Sequence, residues 1–446
     1  MTAARARGSA VLLISVVVLV GGTPIDRIYG VGVMAVLVLS VGLMLGGLTL
    51  GGAYHQPPTW AIVVSGGLAV AALAVAPPMK YVSSNDWLLI GVLVLAAASA
   101  VPALLPLVQA EHAGRCAAAG LVLATTGYAL VVLGSTPVID VWELLQGAGH
   151  GLADGRNPYQ LTFPNSPPGQ INDCFTYLPA TMLLTAPGVW LGGDARWAEV
   201  VLLGATGALL CWHLRARGGI RLALTLLVVL LPGSVYLVQQ AWTETVLLPA
   251  LVGAAVLADR GRTGWAAVAF GVALAAKQHV VLLAPLVLLL RLRPRELAAA
   301  VGTAAALTLP WLLADATRFL RCTVTLFLSV PPRQDSLSLW LLFPEPARLP
   351  LLAAALLVGY LLAWRYCPRT GGGFLVGSAV VLTMFGLINK QTFLNQWWLV
   401  GALVVAGLAL AGGSHCRSPL PPSYADSMHR STATRRRRGG AGRRHP

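Results

Sequence analysis

Charge is what this chain of 446 residues has least of: 11% of it is Asp, Glu, Lys or Arg, against about 25% in soluble globular domains. Lysine is rarer still, with Lys80, Lys277 and Lys390 the whole complement. So little charge puts the chain outside the soluble class. The six cysteines include no CxxC pair and no metal-ligand spacing, so a metal centre is not expected. No GxGxxG or P-loop sequence occurs, which leaves no Gly-rich cradle for a nucleotide and no cofactor to expect. Nor is there a recognisable nucleic-acid module. The net charge of +15 comes largely from arginine. Arg435 to Arg438, Arg443 and Arg444 fall in a terminal tail (413–446) rich in Pro, Ser and Gly, a composition expected to be disordered. Such a cluster beside a membrane touches anionic headgroups or fixes topology.

What the chain has instead is hydrophobic length. Apolar residues make up 57% of it, and the mean hydropathy is +0.74. Apolar runs fall at 10–22, 30–52, 60–76, 87–108, 116–134, 197–213, 221–238, 243–258, 264–276, 280–290, 297–314, 349–364, 374–387 and 394–411. Most approach the roughly 20 residues that cross a hydrocarbon core. An all-α, polytopic integral membrane protein of about fourteen transmembrane helices follows. Arg5 and Arg7 before the first run resemble a signal peptide, but further spans follow at once, so it reads as an uncleaved first helix.

Arginine placement orients the runs. With Arg5 and Arg7 inside, the fifth span emerges outside and delivers Asp140 there. Arg215, Arg217, Arg260, Arg262, Arg291, Arg293, Arg295, Arg365, Arg369 and the tail then fall inside, provided that 178–191 lies along the outer surface and only 197–213 crosses. The three lysines and most carboxylates land outside. Both termini are expected in the cytoplasm, and the chain in a plasma membrane. Cys174 and Cys322 share the outer side, where an oxidising compartment would let them pair.

The longest polar interval before the tail is the outer loop 135–176, with Asp140, Glu143, His150, Asp154, Arg156, Asn157 and Tyr159. Asp140 is placed to take a proton from a hydroxyl; equally, Asp140 with Glu143 three residues on reads as an N-cap and capping-box partner opening a helix over 141–146. GRNPY (155–159) reads as a turn, because Pro158 excludes Asn157 from helix. Tyr159 could stack on a sugar or anchor the loop at the interface. Lys277, Gln278 and His279 interrupt an apolar hairpin, where an ionisable group is a functional candidate and a snorkelling lysine the plain alternative. Gln239, Gln240 and Glu244 cap another outer turn, as do Arg333–Asp335 and Asn389–Gln391. Together these place Lys277, His279, Arg333 and Lys390 on the face of Asp140.

An Asp after a span, a G-x-N-P-Y turn, and Tyr177–Leu178–Pro179 leading into a surface helix resemble the polyprenyl-phosphate-mannose-dependent mannosyltransferases of the GT-C class. AKQHVVLLAPLVLLLRLR (276–293) is similar to that family's Lys-to-Pro hairpin, and RQDSLSLW (333–340) resembles its outer-loop Asn-x-Ser-Leu element, with Asp335 where the family has Asn. The family often has Tyr shortly after the Asp, where this chain has Trp142 and Glu143, and Tyr-Pro-Pro at 177–179. The resemblance spans roughly 134–411. It implies a GT-C-like catalytic core (116–412) behind an added four-span module (1–115). It also implies a metal-independent, inverting transfer of a sugar, mannose in the family, from a polyprenyl-phosphate donor to a glycan or lipid hydroxyl. Asp140 would be the base, and Lys277 would lie near the donor phosphate with Lys390, Arg333 or His279 assisting. Glu143 and Glu244 would orient the acceptor, with Gln240, Asn157 and Tyr159 as further contacts. A transporter or flippase of lipid-linked intermediates, and a non-catalytic scaffold, are the competing classes.

Overall fold

A computed structural model gives the fold and describes residues 2–23, 30–75, 82–163 and 173–412. The chain divides into Met1–Ala411 and Gly412–Pro446. The terminal arginines, Cys416 and Lys80 lie outside the described residues.

Among the described residues, the first unit is helical except for one short ribbon. Helices α1 (Thr2–Gly22) and α2 (Val31–Thr49) pair, followed by α3 (Thr59–Val75), α4 (Asp86–Leu104) and α5 (Ala110–Gly134). Strand β1 (Val82–Ser84) before α4 pairs antiparallel with β2 (Ser135–Pro137) after α5, in the register Val82↔Pro137 and Ser84↔Ser135. The two helices come close enough for this because Gly134 carries no side chain; a Cβ there would collide with the backbone of Leu88. Next come α6 (Asp140–Ala153), α7 (Pro179–Gly192) and α8 (Arg196–Leu214).

The following apolar run is broken in two, as α9 (Gly219–Val229) and α10 (Ser234–Gln240). The break has a local cause: Pro232 removes a backbone donor, and Gly233 takes the left-handed conformation at φ +87°. This broken run is buried along its whole apolar window. After α11 (Glu244–Asp259) and α12 (Thr263–Leu274), residues Gln278–Leu290 wind as a 3₁₀ helix of 13 residues. At about 2.0 Å per residue such a segment reaches roughly 26 Å, against about 20 Å in α form. The tighter winding therefore lengthens a run that would otherwise be short for a bilayer. The chain closes with α13 (Pro294–Ala314), the short α14 (Ala316–Leu320) and α15 (Leu326–Ser329), then α16 (Glu345–Tyr366), α17 (Gly371–Ile388) and α18 (Leu394–Leu410).

Thirteen of the fourteen apolar runs each coincide with one helix, and the run 221–238 is shared by α9 and α10. Nine helices among the described residues are long and apolar enough to cross a membrane. The chain is an all-α membrane-type protein with multiple apolar helices. Few residues of α13 and α16 are buried, as suits helices facing lipid tails. The core runs through α9, α11, α17 and α18, and α1 packs on α18 while α4 packs on α9. The boundary expected near residue 115 thus falls inside one compact unit.

Two corrections belong here. Asp140 is not an N-cap: α6 begins at Asp140 itself, capped by Ile139 with no side-chain bond, and runs to Ala153 instead of ending near 146. The ribbon joining β1 to β2 was not expected, because its strands lie some 50 residues apart and neither carries an alternating pattern long enough to read.

Candidate functional site

The bundle has two polar ends, and Asp140 stands at the one built from loops. Its segment is set by Arg196, a 3% exposed side chain. The guanidinium grips both carboxylate oxygens of Asp194 and donates to the Ser135 hydroxyl at 3.0 Å and the Ser135 carbonyl at 2.9 Å. Trp142 Nε1 donates to the same Asp194 at 3.1 Å. Gln146 bridges the Gly193 carbonyl and the Ala195 amide, so α6 rests on the turn between α7 and α8. The amide of Ala180 donates to the Ala275 carbonyl. Both ends of α7 are therefore tied to the Asp140 end, which is the geometry expected of a helix lying along that surface.

The Asp140 carboxylate accepts from the Val141 amide at 2.9 Å. Burial pushes its carboxyl above the usual range; the Val141 N–H and the charge of Arg333 oppose this, and Glu143 adds to it. Arg333 forks onto Asp335 at 2.8 and 2.6 Å and lies over the Phe393 ring. Tyr177 comes next. Burial holds its hydroxyl well above the usual range, and the charges of Asp140, Glu244 and Glu199 act on it in the same direction. Its ring lies 5.7 Å from the Lys277 amine. That amine donates to Glu244 Oε1 at 2.5 Å, and Asn395 Nδ2 donates to the other oxygen at 2.8 Å. Glu244 is completely buried. Asp140 and Lys277 thus share Tyr177 as a neighbour.

The surrounding loops are tied over long sequence distances. Cys174 and Cys322 form a disulfide, with Cα atoms 5.8 Å apart, so the pairing open on sequence grounds is made. Arg321 bonds Asp173 beside it at 2.5 Å. Gln278 Nε2 donates to the carbonyls of Thr176 at 2.7 Å and Thr323 at 3.0 Å, stitching the same two segments to the Lys277 turn. Lys390 donates to the carbonyls of Leu328 and Val330. Its amine, lowered by burial, holds the backbone leading to Arg333.

Several expected contacts sit elsewhere. Tyr159 is fully buried among Phe175, Phe319 and Trp311, and its hydroxyl donates to the Tyr177 carbonyl at 2.8 Å. In this placement it offers no face to a sugar and holds up the Tyr177 backbone. Asn157 accepts from the Tyr159 amide and closes the expected turn. His279 stacks on Phe385 and lines a small cavity with Trp397 and Gln396, among α17 and α18. Gln240 is wholly buried. Glu143 lies beside Asp140 on the first turn of α6.

Sequence reasoning passed over three residues. Tyr177 was read only as part of the Tyr177–Leu178–Pro179 entry into a surface helix. Arg196 was not singled out. Glu199 is a carboxylate inside an apolar run, a signal that should have flagged it. No metal-holding group of three or more His, Cys, Asp or Glu occurs among the described residues. Set against known families, curated proteins and solved structures, the chain has no match.

Proposed function

We propose that the chain is a membrane glycosyltransferase of GT-C type, transferring a hexose from a polyprenyl-phosphate donor to an acceptor hydroxyl at the Asp140 end. The observation that carries this reading is the shared neighbourhood of Asp140, Arg333, Tyr177 and the Lys277–Glu244 pair. Asp140 takes the acceptor proton as the oxygen attacks the anomeric carbon. The bond from that carbon to the phosphate oxygen breaks, inverting the centre, and the polyprenyl phosphate leaves with its electron pair. Arg333, with a half-exposed side chain beside Asp140, meets the leaving phosphate. Lys277 sits deeper, its charge already balanced by Glu244, and shares the phosphate when the donor is seated. The resemblance names mannose as the sugar. A donor supplied from the bilayer accords with the lack of a nucleotide-binding loop.

In this reading all fourteen runs cross a plasma membrane, with the Asp140 end facing outward and both termini inside. Two signals support the orientation. Arg215, Arg217, Arg260, Arg262, Arg291, Arg293 and Arg295 fall at the opposite end, while Arg196, Arg321 and Arg333 at this end are each paired with a carboxylate. The disulfide also lies at this end, where an oxidising compartment would preserve it.

Purified protein incubated with polyprenyl-phosphate hexose and no acceptor should hydrolyse the donor slowly, releasing the free sugar. A preparation that binds the donor but neither hydrolyses nor transfers it would remove the enzyme reading. One observation favours the second class. The wholly buried span broken between α9 and α10, beside the buried Glu199 and Glu244, is a feature of cation-coupled transporters. Movement of labelled lipid-linked sugar across a vesicle membrane without sugar transfer would select that class.

A further inference from the structure

Buried polar atoms in folded proteins nearly always have partners. The exceptions among the described residues include His213, Ser65 and Ser99, and others fall on α8 and the turn from α10 to α11. Glu199, with Thr245 beside it, has neither carboxylate oxygen in a well-formed hydrogen bond, nor does either amide atom of Gln240, and both side chains are completely buried. Gln239 Oε1 and Thr243 Oγ1, on side chains at most 4% exposed, are likewise unpartnered. Five of these six atoms are oxygens.

Glu199 stands in the first turn of α8, within reach of the charges of Glu244 and Tyr177, and Thr243 lies beside Tyr177. Helices α8, α10 and α11 pack on one another here. The two nearby cations are already engaged: Arg196 with Asp194, and Lys277 with Glu244. Glu199 feels the charge of Arg196 but has no ion pair of its own. We propose that Glu199 and the turn from α10 to α11 form a buried binding site for a single alkali-metal cation.

The chemistry is specific. One carboxylate without an ion pair of its own, with the neutral oxygens of Thr245 and of the adjoining α10–α11 turn, matches a monovalent ion better than a divalent one, which takes more charged oxygen ligands. Oxygen donors exclude a preference for soft metals. The orphaned oxygens cluster at the C-terminal end of α10, which carries the negative end of the helix dipole. The turn itself is held in a sparsely populated conformation, with the fully buried Ala241 at φ +57°. Non-glycine residues are kept there only when their surroundings enforce it. A helix end inside a broken, buried span is also a recognised setting for sodium in membrane proteins.

The test is sodium binding to the purified full chain, by radioactive sodium uptake and by melting in sodium chloride against choline chloride at equal ionic strength. The wild-type chain should bind sodium saturably and melt at a higher temperature in it. Glu199→Gln should lose both responses, yet melt in choline at least as high as the wild-type chain, because a buried charge without an ion pair of its own is gone. Should that variant fail to fold, Gln240→Met supplies the second arm, with weakened saturable binding expected. No saturable response in the wild-type chain, or a response dependent on pH alone, would overturn the site. So would a Glu199→Gln chain that binds sodium like the wild type. No sugar or donor lipid enters these assays, so their outcome is separable from that of the transferase reading.

Discussion

The two ends of the bundle are held together in different ways. At the arginine end most bonds close helix ends: Glu296 accepts from the Arg293 amide at 2.6 Å and from Thr263 at 2.5 Å, Asp259 accepts from the Gly371 amide at 2.7 Å across 112 residues, and Arg221 Nη1 donates to the Ala409 carbonyl at 3.3 Å across 188. Arg260 covers the Trp212 ring with its guanidinium carbon 3.9 Å from the centroid. At the Asp140 end, ties reach across the chain. Glu244 to Asn395 spans 151 residues, Gln278 to Thr176 spans 102, and the disulfide spans 148. Helix ends anywhere need their orphan groups satisfied. Long ties therefore occur at both ends, but at the Asp140 end they join charged side chains from different elements, as Lys277 and Asn395 on Glu244, and precise placement of side chains from different elements is what a binding or catalytic site requires. This accords with the Asp140 end as the proposed working face.

Substitutions should break the two ends unequally. Asp140→Asn should lower sugar transfer by about 10²–10⁴, the usual contribution of a positioned base. Arg217→Ala at the opposite end should leave transfer within the error of the same assay. Glu244→Ala leaves Lys277 as an uncompensated buried charge, which typically costs about 3–5 kcal/mol; thermal melting should show it, with Glu244→Gln milder. Removing the disulfide by Cys322→Ser should cost about 2–4 kcal/mol, and a chain already reduced should show no further loss. A smaller effect is expected in the pH profile. As the proposed base, Asp140 would work only when deprotonated, so activity should be present above its folded pKa and lost as pH falls through it. Because burial raises that pKa, the acid limb should lie above the ordinary carboxylate range. Arg333→Ala, which removes the charge opposing the shift, should move that limb higher still. Smallest of all, Arg260→Ala should cost about 0.5–1 kcal/mol through the lost contact with Trp212.

Much of this architecture was legible because bilayer crossing demands length. The apolar runs read from composition alone all proved helical, one of them broken in two, and nine helices among the described residues are long and apolar enough to cross a membrane. Local chemistry was legible where one residue dictates it, as in the Asn157–Pro158 turn. Long-range relations were not. The bonds from Arg196 to Ser135 and the ribbon register of β1 on β2 depend on packing that no short window contains. The capping box at Asp140 failed for a related reason: Ile139 already holds extended geometry through its neighbours, so the helix starts one residue sooner. Lys277 was singled out as a lone cation, whereas it is largely buried against Glu244, which had been placed only at the acceptor, and a buried pair reads differently from a lone cation. Glu199 was hidden by the apolar run around it.

The most direct measurement places donor binding and sugar transfer side by side in the wild-type chain and in Asp140→Asn. The account predicts that the variant binds polyprenyl-phosphate hexose with near wild-type affinity, because the cationic side chains are intact, while transfer falls by at least about a hundredfold. Equal transfer by the two proteins would contradict it.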